Sequence, residues 1–141
     1  MTQHWAFWAF LSAGFAALTA IFGKVGVAGV NSDLATLIRT VVIFVVLVGI
    51  VTATGQWQAP ASINAKTWIF MALSGVATGA SWIAYYRALK LGNASQVAPV
   101  DKLSIVLVVI FGVVFLGEKV SLVHWTAVTL IAAGAIILAV F

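Results

Sequence analysis

The sequence predicts an all-α, polytopic protein that crosses the bilayer five times. Of 141 residues, 64% are hydrophobic and 7% charged, whereas a soluble domain carries about a quarter charged residues. So little polar surface does not keep a chain dissolved. Five windows run about twenty residues with few or no charges, the length a helix rising about 1.5 Å per residue needs to cross about 30 Å of hydrocarbon. Such runs exclude the alternating strands of about ten residues that build membrane barrels. Lipid offers backbone N–H and C=O groups no partner, so each run must close its hydrogen bonds internally, as a helix.

The first span is expected at about 5–23. Met1–His4 carries no Lys or Arg, and no clear small-residue cleavage site follows, so the span reads as retained and not as a signal peptide. Ser12, Ala16, Thr19 or Ala20, and Gly23 form a small-residue stripe suited to close helix packing, with Ser12 and Thr19 also placed to line a pathway. The second span, about 34–54, follows Asn31, Ser32 and Asp33, all good helix-start residues. Gly55 and Pro60 then break the chain, and the third span runs about 67–89. Trp57 and Trp68 bracket that loop and, with Trp5, Trp8 and Trp125, mark one water boundary, because an amphipathic indole favours the headgroup layer.

The third span carries Ser74, Thr78, Ser81 and Tyr85 on one face, with Trp82 beside them. That stripe suits the wall of a substrate pathway, and it equally suits hydrogen bonds between helices. Gly75 and Gly79 form a small-xxx-small pair for helix packing. Leu91-Gly92-Asn93 stops this helix, and Asn93 with Gln96 resembles a capping box opening a fourth span of about 95–116. Pro99 lies in its first turns, where its ring loosens the helix next to Asp101. Gly117-Glu118-Lys119 makes a tight turn, and the fifth span runs 121–141 from Ser121. An odd number of crossings puts the termini on opposite sides.

Charges inside spans cost about 2.5–3.5 kcal/mol each at mid-helix on the insertion scale, so they are the first functional candidates. Arg39, Asp101 and Lys102 lie five, six and seven residues past predicted helix starts on the same side of the membrane, a depth of about 8–10 Å. Arg87 is closer to that face. Together they read as a charged cluster that gates or charge-balances a cavity. They read alternatively as a structural ion pair of Asp101 with Arg39 or Lys102, with Lys102 and Arg87 reaching to headgroups. Lys24, Lys90 and these nearby cations, against Lys66 and Lys119 on the other face, mildly favour an external N-terminus. The bias is small and leaves insertion in both orientations open.

Other chemistries find no residues here. Without cysteine there is no thiol catalysis, disulfide or thiolate metal site. The net charge of +4 is spread singly, with no basic run to grip nucleic acid. His4, Glu118 and His124 share a face but lack ligand spacing, so neither a metal nor another cofactor is expected. No phosphate loop, HExxH or GxSxG occurs, and two of the three carboxylates, Asp33 and Glu118, fall in predicted loops. An enzyme is not expected.

Several motifs in order carry a resemblance. Lys24 closes the first helix and Leu34-Ala35-Thr36-Leu37-Ile38-Arg39 opens the second. Then come Tyr85-Tyr86-Arg87-Ala88-Leu89-Lys90, Val97-Ala98-Pro99, Leu116-Gly117-Glu118-Lys119 and, in the closing helix, Gly134. Over nearly the whole chain this resembles the drug/metabolite transporter superfamily, EamA type, in its short single-repeat form. Most members duplicate the unit into ten helices. A proline usual about thirteen residues before the Gly-Glu turn is Ile105 here, with Pro99 lying earlier.

The resemblance implies one EamA-like transmembrane domain over 1–141 and transport of a small molecule; the superfamily's cargoes include amino acids, metabolites, nucleotide sugars and drugs. The leading expectation is a secondary transporter for a small polar metabolite in the cell (inner) membrane, surrounded by lipid. It would act as a homodimer whose two copies pair head to tail, with Trp82, Tyr85, Ser81, Thr78, Ser12 and Thr19 along the pathway. Gly134 joins Gly75 and Gly79 as a helix-packing residue. A non-transporting membrane subunit is the alternative from a different class. A small multidrug exporter, which leans on a first-helix carboxylate, is a third, and the first helix has none.

Overall fold

Residues 5–140 are described by the computed structural model. His4 and Phe141, the latter closing the fifth predicted span, lie outside them. Helices follow in the order α1 Trp5–Val27, α2 Ser32–Ala53, α3 Ala65–Leu91, α4 Ala94–Asp101, α5 Ser104–Leu116 and α6 Leu122–Val140, with a 3-10 turn at Pro60–Ser62. No strand occurs among the described residues. Among the described residues, five stretches are long and apolar enough to cross a membrane, α4 and α5 together making the fourth, Ala94–Leu116. The all-α, five-crossing architecture predicted from hydropathy is the one the chain forms. Most of its large apolar side chains are exposed, as expected where lipid is the solvent.

Several predicted boundaries move outward. α1 continues to Val27 and α3 begins at Ala65 and ends at Leu91, because a hydropathy window closes at its first charge whereas helical hydrogen bonding continues through the headgroup layer. Lys24, which marked the predicted end of α1, lies inside the helix and donates from Nζ to the Gly92 carbonyl at 2.7 Å. Asn31 takes the expected N-cap role. Its backbone is extended and its side-chain oxygen accepts from Asp33 N–H at 2.8 Å and Leu34 N–H at 3.3 Å. The capping box at Asn93 does not form: Asn93 is the N-cap of α4 by its backbone, but its amide donates to the Gln96 side chain at 3.5 Å and caps no backbone group.

The fourth crossing, expected over 95–116 with the helix loosened at Pro99 next to Asp101, is divided into α4 and α5. Pro99 has no N–H for the Ser95 carbonyl, and its ring crowds that carbonyl. The ladder tightens just beyond it: Leu103, Ile105 and Val106 N–H groups bond three residues back, to Val100, Lys102 and Leu103 carbonyls, each at 3.0 Å. A short 3-10 stretch therefore joins α4 to α5. Asp101 and Lys102 occupy this joint.

The chain divides into two units. In the one formed by Met1–Lys24 and Leu91–Phe141, α4 and α5 pack on α6. α5 ends at Gly117 in the left-handed conformation (φ 68°), and the N–H groups of Gly117 and Glu118 both turn back to the Gly112 carbonyl. The Glu118 side chain folds over Gly112, where an added Cβ would lie 2.7 Å from Oε2. Ser121 starts the last helix, its Oγ 2.6 Å from His124 Nδ1. Left-handed backbone costs a side-chain-bearing residue about 1–2 kcal/mol. Gly117→Val is therefore expected to destabilise the protein by about that amount in a mixed-micelle unfolding titration; an unchanged midpoint would contradict the left-handed turn.

The second unit, Val25–Lys90, holds α2 and α3. Cross-helix pairs Val30–Lys90, Asp33–Arg87 and Arg39–Trp82 advance in opposite directions along the chain, so the helices run antiparallel. At the far end of the hairpin, both boundary tryptophans fasten the loop. Trp57 Nε1 donates to Thr52 Oγ1 at 3.2 Å and Trp68 Nε1 to the Pro60 carbonyl at 3.4 Å.

Candidate functional site

At the end of the hairpin where α2 begins and α3 finishes, charged and aromatic side chains form successive levels. Outermost, Lys90 Nζ donates to the Val30 carbonyl. One turn inward, Arg87 grips Asp33 with two parallel bonds, Nε to Oδ1 at 2.9 Å and Nη2 to Oδ2 at 2.7 Å. This fork geometry is what makes arginine-carboxylate pairs directional. Asp33 lies in the first turn of α2 and Arg87 near the last turn of α3, so each also has favourable sign at its helix end.

The next level lies about 9 Å deeper along α2, six residues on at about 1.5 Å each. There the Arg39 guanidinium carbon sits 4.1 Å from the Trp82 ring centroid and 5.4 Å from that of Tyr86. Both distances are in cation–π range. The aromatic residues arrive together because Trp82, Tyr85, Tyr86 and Leu89 follow the three- and four-residue spacing of one helix face. Tyr86 and Leu89 are buried, Trp82 and Tyr85 half-buried. Tyr85 meets Tyr86 edge-on, centroids 6.2 Å apart.

Arg39 differs from Arg87 in one decisive respect. Among the described residues of its own unit, Val25–Lys90, no hydrogen-bond acceptor and no carboxylate engages its N–H donors. Its charge is stabilised by two ring faces while its donor edge stays unused and half-exposed. Such a group attracts oxyanions.

The remaining candidates have separate surroundings. Asp101 pairs with neighbouring Lys102, Nζ to Oδ2 at 3.3 Å, on the 3-10 joint of the fourth crossing. Ser12, Thr78 and Ser81 are exposed and Thr19 half-buried. Thr78 spends its hydroxyl within its own helix, donating to the Ser74 carbonyl at 2.8 Å. At Gly75, Gly79 and Gly134 an added Cβ would meet nothing within 4 Å, whereas Gly112 is closely approached by Glu118. Among the described residues no group of three His, Asp or Glu gathers as a metal site.

A family model described as the EamA-like transporter family matches residues 3–140. The chain belongs to that family. A relative from Sinorhizobium sp, named as an uncharacterized transporter in the cobO 3′ region, is 69% identical over 141 residues, the full length of both chains. No solved structure matches. The chain is thus a multi-pass membrane transporter, and the family and the relative point to transport and not to enzymatic chemistry.

Two participants in the candidate site of this EamA-like transporter escape a linear reading. Asp33 reads as a helix-start residue in a loop, and its service to Arg87 spans 54 positions. Tyr86 is one residue from the polar stripe that draws attention to Tyr85. The available signal was charge placement: Asp33 at the start of one helix and Arg87 at the end of the next share a level whenever two neighbouring spans form a hairpin.

Proposed function

We propose that this EamA-like transporter moves a small polar metabolite across the cytoplasmic membrane by secondary transport, working as a homodimer. The observation that carries the reading is Arg39. It is a permanent charge seven residues into a span, seated on Trp82 and Tyr86 with no counter-ion among the described residues of its own unit. A charge at that position is costly unless it faces water or a polar ligand, and a purely structural subunit gains nothing from it. The broken fourth crossing beside Asp101 supports the same reading, since interrupted helices next to charges are a recurrent device of carriers. The 69% identical relative is itself named as a transporter.

Reconstituted protein is expected to catalyse saturable counterflow of at least one labelled solute from a panel of amino acids, organic acids and organic cations. Failure with all of them, in vesicles where the protein is folded and correctly sized, would sink the proposal. The chain contains no native cysteine, so single cysteines introduced near each end report pairing and orientation cleanly. Crosslinking between copies is expected, and labelling of one end from both sides of the membrane would identify a head-to-tail pair.

A further inference from the structure

We infer that Arg39 is the anchor for an oxyanion carried by the transported solute, a carboxylate in the simplest case, with Trp82 and Tyr86 walling the place where it binds. The inference rests on the carrier reading above and names the chemistry of its cargo. A guanidinium keeps its charge in a protein and offers five N–H donors in a planar fork. Stacking over Trp82 satisfies the face of that plane, not its edge. The neighbouring Arg87 shows what the edge seeks in this hairpin, because its fork is filled by the two oxygens of Asp33. Arg39 has the same fork and no such partner among the described residues of the hairpin unit.

The surrounding charge has the matching sign. Within the unit Val25–Lys90, Arg39, Arg87 and Lys90 share one carboxylate, Asp33, which is already committed to Arg87. An anion approaching this end of the hairpin therefore meets net positive potential and a preorganised donor. Trp82 and Tyr86 hold the guanidinium in place beforehand, so less side-chain entropy is lost when the anion arrives. A planar, apolar-bodied acid also finds aromatic surface beside the charge.

A phospholipid headgroup offers the same oxyanion chemistry, and the test separates the two sources. Protein in nanodiscs of phosphatidylcholine alone, and in matched discs containing phosphatidylglycerol, is titrated with benzoate, benzamide and benzylamine, and with propionate and propionamide, by intrinsic tryptophan fluorescence and thermal shift. The carboxylates are expected to bind in both kinds of disc and to outcompete their amides and amine. Arg39→Gln is expected to weaken carboxylate binding about tenfold, as loss of a charge-assisted bond does, with Arg39→Lys retaining part of it. Arg39→Lys also guards against a folding defect in the glutamine variant.

No preference for any carboxylate over its amide would overturn the anchor, as would binding unchanged in Arg39→Gln. Carboxylate binding abolished by phosphatidylglycerol would assign Arg39 to lipid and overturn it too. Counterflow of an amine or neutral solute that survives Arg39→Gln would overturn the anchor and leave the carrier reading standing. Arg39-dependent carboxylate binding without counterflow of any solute would do the reverse.

Discussion

Reversing one charge of the Asp33–Arg87 pair is expected to lower transport in proteoliposomes at least about tenfold, because like charges then face each other across the hairpin. Arg87→Glu would set two carboxylates where a fork with contacts of 2.9 and 2.7 Å now stands. Asp33→Arg would crowd a fourth cation beside Arg87, Lys90 and Arg39. The double change Asp33→Arg with Arg87→Asp restores opposite signs and is expected to recover part of the activity. Recovery should be incomplete, because the exchange puts a cation at the N-terminus of α2 and an anion at the C-terminus of α3, against both helix dipoles. Asn31, not Asp33, caps α2, so loss of the cap does not explain any defect. Single reversals with normal activity would show that the pair does not hold the hairpin. A double variant no better than either single would show that the two residues act separately.

The architecture was largely legible because each crossing is a local statement. Twenty apolar residues make a helix in lipid whatever surrounds them, since the backbone has no other partner. What the sequence left unread was local too, but finer than hydropathy. Pro99 pointed to a loosened helix beside Asp101, but the joint itself, at Lys102–Leu103 where N–H groups bond three residues back, is averaged over by a hydropathy window. The Asn93 cap failed for a similar reason: Asn93 and Gln96 have the right spacing, yet their amides meet each other and leave the backbone donors alone.

The site was legible in its parts and not in its pairings. Arg39, Arg87 and Trp82 stand out in the sequence because charges and an indole inside spans need a reason. Which partner each takes depends on helix rotation. One residue changes direction around the axis by about 100°, so the meeting of Tyr86 with Arg39 turns on an angle no spacing rule fixes. Asp33 was hidden differently. It satisfied one expectation, a helix-start residue, and so raised no demand for a second.

Truncating Leu89 is expected to be the most destabilising single change in the hairpin. Its side chain is fully buried at 0% exposure, while Leu91, two residues further on α3, is 90% exposed. Two helical steps turn about 200°, so these leucines sample opposite faces of one helix end. Leu89 continues the face of Trp82 and Tyr86, and a void beneath it would loosen the aromatic seat of Arg39 as well as the helix contact. Leu89→Ala is expected to cost about 3 kcal/mol, within the range for buried leucines; in lipid the loss falls on packing, because apolar surface gains nothing there by leaving solvent. Leu89→Met conserves volume and should cost less than about 1.5 kcal/mol, and Leu91→Ala close to nothing. All three are read from unfolding midpoints in mixed micelles. Equal effects at Leu89 and Leu91 would mean that the α3 face is not packed as described. A large effect at Leu89 with unaltered solute binding would show that the seat of Arg39 holds without the packing beneath it.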